Sequence, residues 1–322
     1  MKKIINIFLL STLAVCTQAV TMESSKTHLL VIPGQNGMGG QNVDTVLPYF
    51  TNNNRKYEVK TPLTLPDFGQ TCCQELLKQA ITELQSTDMI RKHDGIILHG
   101  SSQGTATTIN YAAKNPENIK ALILESVMLT GNSAIFHTVD NVMLPQQYDL
   151  PDSSYYALPY IAKYSYPSYA PIGEQPVNNI DTLSPDLPII IIHDTKDFQL
   201  SFKDAQALYA YLTKVRKNKN VYLFAQESER GEHINLLTKN NSQEIRAIDT
   251  ILRLHNLLPF DPSADCLTLQ ELKTYQPEPQ QEWLDRFNAL RNKEENLECT
   301  ATSVKVAGTG LGIYTLYKWL GF

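Results

Sequence analysis

Residues 100–104 are Gly-Ser-Ser-Gln-Gly, a G-x-S-x-G pattern centred on Ser102. The apolar run Ile96-Ile97-Leu98 leads into it, and a helix-like run leads out. A surface loop would account for the serines and glycines alone. A sharp strand-to-helix turn that exposes one serine accounts for all three features. Such a serine can attack a carbonyl. Its hydroxyl is a weak nucleophile until a base takes the proton, and the base needs an acid to orient it. On this kind of turn the partners follow in the order Ser, Asp, His. The sequence has them in that order. The run Ile189–Ile192 opens into His193-Asp194-Thr195-Lys196-Asp197, and the run Val221–Ala225 opens into a polar stretch that reaches His233.

The elements that must hold these residues alternate. Apolar strand-like runs lie at 27–34, 57–63, 94–100, 121–127, 188–194 and 221–226. Helical patterns lie at 69–86, 103–114, 201–215 and 241–258. The first presents Leu76, Leu77, Ala80, Ile81 and Leu84 on one face, and the last presents Ile245, Ile248, Ile251 and Leu252. Ser201 stands where an N-cap would be. Strand alternating with helix predicts a mostly parallel, doubly wound α/β sheet with helices on both faces. Continuous apolar runs agree, because such strands are buried on both sides. Ligands of these sheets sit beyond the carboxyl ends of the strands, where the candidate residues lie.

Over roughly residues 27–258 the chain resembles the α/β-hydrolase superfamily. The run IIIIHDTKD is similar to the family's strand followed by H-G-x-x-D, which implies Asp197 as the triad acid. RGEHINLL is similar to its G-x-H before the last helix, which implies His233 as the base. VIPGQNG resembles the turn that supplies an oxyanion-hole N–H, here from Gln35, and the second donor would be the N–H of Gln103. The chain departs from the pattern in three ways. Pro33-Gly34 replaces the usual His-Gly, His193-Asp194 replaces His-Gly before the acid, and the first two strands of larger members are missing. Asp194 and Glu125 therefore stand as alternative acids. His28, His93, His99, His137, His193 and His255 read as structural or surface residues.

Residues 128–187 show little regular pattern but hold Tyr148, Tyr155, Tyr156, Tyr160, Tyr164, Tyr166 and Tyr169. The resemblance implies a lid or cap inserted here. Tyrosines would give it apolar faces with polar tips.

Composition narrows the class. The 322 residues are 42% hydrophobic and 19% charged, with a net charge of -5. That suits a globular protein with a core and gives no nucleic-acid surface. The basic run at 214–220 reads as a solvated helix end. Residues 1–19 carry two lysines, an apolar stretch and small residues, the pattern of a signal peptide cut after Ala19. LAVC ending at Cys16 resembles a lipoprotein box, although Val15 fits it poorly. Export leaves Cys72, Cys73, Cys266 and Cys299, an even number in an oxidising compartment, with pairing undetermined. A charged helix and linker follow over 259–302. The apolar tail 303–322 reads equally as a membrane-associated anchor, a packed helix or a loose end.

Together these features predict an exported serine hydrolase of carboxylic esters, thioesters or acyl lipids, with no metal or organic cofactor. Ester chemistry follows from the resemblance, since no residue selects it over peptide cleavage. The alternatives are a non-catalytic binding protein and a peptidase on the same fold.

Overall fold

The computed structural model describes residues 27–32, 34, 58–60, 70–91, 94–143, 150–165, 173–229, 231–233, 236, 242–258 and 265–307. Residues 1–19, expected to form a signal peptide, Gln35 and most of the apolar tail lie outside them.

Six strands form one parallel sheet in the order β2-β1-β3-β4-β5-β6. They are β1 (Thr27–Ile32), β2 (Glu58–Lys60), β3 (Gly95–Ser101), β4 (Ile119–Glu125), β5 (Ile189–Asp194) and β6 (Val221–Gln226). The two-residue period of a strand divides the apolar runs between two cores. Leu30, Ile32, Ile96, Leu98, Leu122, Leu124, Ile189 and Ile191 face one way. Leu29, Val31, Ile97, Ala121, Ile123, Ile190 and Ile192 face the other. The runs are continuous because both faces are covered.

The first face carries α1 (Gln70–Ser86) and α2 (Gln103–Lys114). Leu77, Ala80 and Ile81 of α1 and Ile109, Ala112 and Ala113 of α2 enter its core, with Leu84 packed at the edge. The second face carries α7 (Ser242–Leu254) through Ala247, Ile248, Ile251 and Leu252, with Ile245 at its border. Helix α7 stops short of the expected 258. Asn256 takes φ 56, and the N–H of Leu257 reaches back to the carbonyl of Leu252, which closes the helix end.

The stretch 128–187 proves more regular than its sequence suggests. It forms α3 (Gly131–Thr138), α4 (Ser154–Ser165) and α5 (Pro176–Asn179). Pro159 within α4 and the short lengths of α3 and α5 hide the helical period. The expected helix 201–215 is α6 (Phe202–Ala210) followed by a wider turn at Tyr211–Val215. Ser201 holds the N-cap position without a side-chain cap; its carbonyl instead accepts the N–H of Asp204.

The charged segment beyond residue 258 shares the core. After α8 (Leu269–Leu272), helix α9 (Gln281–Ala307) inserts Phe287, Leu290 and Leu297 into the first face. It also buries Glu294, whose carboxylate accepts from Tyr155 Oη and Asn132 Nδ2, both at 2.6 Å. Arg286 pairs with Asp204 at 2.8 Å, so α9 ties α3 and α4 to α6. Among the described residues no helix is long and apolar enough to cross a membrane. Cys266 is exposed and free; the side chains of Cys72, Cys73 and Cys299 lie outside the description.

Candidate active site

Strand β3 ends at Ser101 and α2 starts at Gln103, which leaves Ser102 alone to make the turn. Its backbone sits at φ 53 and ψ -121, a conformation that costs an L-residue on the order of 1–3 kcal/mol. The surroundings enforce it. The Ser102 N–H donates to the carbonyl of Glu125 at 2.8 Å, and its own carbonyl accepts from Thr105 N at 2.9 Å. Strand and helix approach closely at Gly100, where a β-carbon would meet Gly104 O at 2.6 Å.

The candidate acid lies just past the end of β5. Asp197 is buried, and its Oδ1 accepts the N–H groups of Gln199 at 2.8 Å and Leu200 at 3.0 Å. The candidate base lies in the loop after β6. His233 Nδ1 lies 2.9 Å from Asp197 Oδ2 and 3.1 Å from Oδ1, and Nε2 lies 2.8 Å from Ser102 Oγ. A carboxylate only accepts, so Nδ1 carries the proton and Nε2 offers its lone pair to the serine hydroxyl. Three side chains remote in sequence thus form one relay.

Asp194 meets the relay only through its backbone carbonyl, which accepts Asp197 N at 3.2 Å; its carboxylate is used elsewhere. Its Oδ1 accepts Lys196 N at 2.7 Å, and its Oδ2 accepts Ser228 N at 3.0 Å and Glu232 N at 3.2 Å. It therefore braces both loops. Glu125 faces the nucleophile's neighbour instead of the imidazole of His233: Oε2 accepts Ser101 Oγ at 2.9 Å and Oε1 accepts Leu236 N at 2.6 Å.

Gln103 is the first residue of α2, so its N–H lies at the helix N-terminus, next to Ser102. Gly34, the residue before Gln35, passes directly beside the nucleophile: a β-carbon on it would lie 3.0 Å from Ser102 Cβ.

Two further side chains adjoin the relay with no signal in the sequence. The ring of Phe198 is 43% exposed, and its centroid lies 6.5 Å from that of His233. His137 of α3 places Nε2 3.2 Å from the carbonyl of Asp197, and Thr138 Oγ1 donates to the carbonyl of Gln199 at 3.2 Å. The inserted segment therefore rests on the acid loop. His193 is held on both sides, Nδ1 accepting Val127 N at 3.1 Å and Nε2 donating to Leu200 O at 3.1 Å, with Nε2 3.5 Å from Asp197 Oδ2. Burial holds it below the usual histidine range, against the opposing pull of Asp197. Burial does the same to His99, against Glu125. His28 pairs with Asp94 at 3.0 Å, far from this end of the sheet. His255 lies just past the end of α7, and His93 lies outside the described residues.

No family model matches the chain, and no curated protein matches it in sequence. Solved structures do match. One crystal form of an esterase from Pyrococcus furiosus superposes with a TM-score of 0.52 at 14% identity, over 72% of this chain and 82% of that one. A second form gives 0.50 at 13% identity, over 72% and 84%. An α/β hydrolase from Novosphingobium aromaticivorans gives 0.45 at 15% identity, over 72% and 90%. The likeness to the esterase, with the parallel sheet and its strand-turn-helix at Ser102, shows that this chain has the α/β-hydrolase fold.

Proposed function

We propose that this chain is a serine hydrolase that cleaves carboxylic esters, thioesters or acyl lipids through an acyl-enzyme. The observation that carries the reading is the continuous relay from Ser102 Oγ through His233 to Asp197, at 2.8 and 2.9 Å. Fold alone would not suffice, since the same scaffold serves many chemistries.

Ser102 Oγ attacks the substrate carbonyl while His233 Nε2 takes its proton. Asp197 keeps the proton on Nδ1 and stabilises the imidazolium. The oxyanion is received by the N–H of Gln103 and by that of Gln35, donors that act only as charge develops. His233 then protonates the leaving group, whose departure leaves Ser102 acylated. Water, deprotonated by the same imidazole, attacks the acyl carbonyl; His233 then returns that proton to Ser102 Oγ as the serine leaves and the acid product is released. Every proton and bond in the cycle is accounted for without a cofactor.

The exposed ring of Phe198 beside His233 favours a substrate with an apolar arm. The tyrosine-bearing insertion on the acid loop would act as a lid over it. Export follows from the signal-like residues 1–19, and membrane association through 303–322 is the remaining element of the proposal.

A fluorophosphonate probe tests the reading. Labelling of the wild-type protein that is lost in Ser102→Ala supports it. Folded wild-type protein that does not label overturns it. An ester series run beside peptide amides decides the bond class.

A further inference from the structure

The loop that carries His233 leaves β6, three strands from the β3 that leads to the serine, and must be held across the ends of β5 and β4. Its near end is held by Asp194 through Ser228 N and Glu232 N. Its far end is held from β4. In the parallel ladder Ser101 pairs with Glu125, so the last residue of β4 stands level with the residue before the nucleophile. The Glu125 carboxylate, only 1% exposed, accepts Ser101 Oγ on one oxygen and Leu236 N on the other. Its carbonyl accepts Ser102 N. The next residue, Ser126, is held to β5 by a 2.8 Å bond from its N–H to Ile192 O. It takes φ 53, and its hydroxyl donates to the carbonyl of His233 itself. Non-glycine residues keep such a conformation only where their surroundings dictate it.

We infer that Glu125 and Ser126 are positioning residues that lock the elbow of Ser102 and the loop of His233 into one rigid piece. This rests on the serine hydrolase reading. A carboxylate suits the task because it accepts from both sides at once, and its bonds to N–H and O–H donors are charge-assisted. A buried carboxylate with no such donors would be costly. One side chain thereby grips the nucleophile's neighbour and the chain three residues past the base. Neither residue touches the substrate; both act through His233.

The test measures kcat and KM for a short-chain nitrophenyl ester, fluorophosphonate labelling rate and melting temperature. Glu125→Ala is expected to lower kcat and labelling on the order of 100-fold with KM nearly unchanged, the cost of a misplacement near 1 Å. Glu125→Gln keeps an acceptor for Leu236 N and a polar partner for Ser101, and is expected to recover most of that loss. Ser126→Ala is expected to lower kcat about tenfold, for one lost bond to the base loop. A purely structural role would lower the melting temperature and leave kcat intact below it. Folded Glu125→Ala with wild-type kcat therefore overturns the inference. If that variant does not fold, wild-type kcat in Ser126→Ala overturns it. Folded wild-type protein with neither labelling nor turnover sinks the hydrolase reading, a result distinct from unchanged kcat in variants of an active enzyme.

Discussion

Gly231 lies so close to the carbonyl of Lys196 that a β-carbon on it would overlap that oxygen. Its φ of 72 is in the left-handed region. At this point the loop that carries His233 and the loop that carries Asp197 meet backbone to backbone, two residues before His233 and one before Asp197. Gly231→Ala is expected to push the loops apart. It should lower kcat on the order of 100-fold and cost about 2 kcal/mol of stability. Steady-state kinetics with thermal melting checks both.

The two aspartates of the β5 loop are expected to separate cleanly. Asp197→Asn should keep the shape and lower kcat on the order of 10⁴-fold, because the amide no longer fixes the imidazole's tautomer. Asp194→Asn removes a charged acceptor from three backbone N–H groups and should cost about 1–3 kcal/mol of stability with a kcat loss near tenfold. Equal kcat losses in the two variants would contradict the assignment of the acid.

Phe198 is expected to read substrate length. Truncation to Ala removes apolar surface beside His233 without touching the relay. KM for long-chain nitrophenyl esters should rise about tenfold, the worth of a partly buried ring, while acetate turnover stays near the wild-type rate. A length profile identical to the wild type would remove this residue from the substrate path.

Stability should depend on pH through Glu294. Burial, opposed by hydrogen bonds from Tyr155, Asn132 and Thr130, raises its carboxyl from 4.5 to about 7. The folded state keeps a proton that the unfolded chain releases, so this contribution falls as pH rises between those two values. A shift of that size corresponds to roughly 3 kcal/mol. His99 and His193 act in the opposite sense. Burial lowers both, the unfolded chain protonates first, and stability is lost as pH falls below their ordinary 6.5. Denaturant melts of the wild type and Glu294→Gln isolate the carboxyl. The wild type should lose ground relative to the variant as pH rises from about 5 to 8. A constant gap across that range would contradict the assignment.

The centre of the sheet was legible because its strands are largely apolar runs, which point to strands buried on both faces; the edge strand β2, Glu58–Lys60, has no such run. The relay was legible because Ser102, Asp197 and His233 each follow such a run. The choice of Asp197 over Asp194 needed the resemblance, since both lie at the end of the same strand; in the structure His233 Nδ1 bonds the Asp197 carboxylate, while that of Asp194 bonds three backbone N–H groups. The helices of 128–187 were hidden by Pro159 and by their shortness. In α9 the apolar positions Phe287, Leu290 and Leu297 are outnumbered by charges, several of which are themselves buried or paired. The bridge that Glu125 makes between Ser101 and Leu236 was invisible for another reason: it depends on the register of β3 against β4 and on where the loop after β6 lands, which no local pattern encodes.

Helix α9 also sets the timing of the protein's assembly. Its Glu294 meets residues 162 and 139 positions earlier, and its Phe287 fills the middle of the first face. A chain still emerging from the ribosome can pair its early strands but cannot seal that face until this late helix is released. Contacts so distant in sequence slow folding. The first face therefore stays open until this helix has been made, well after the strands and the loops that carry Ser102, Asp197 and His233.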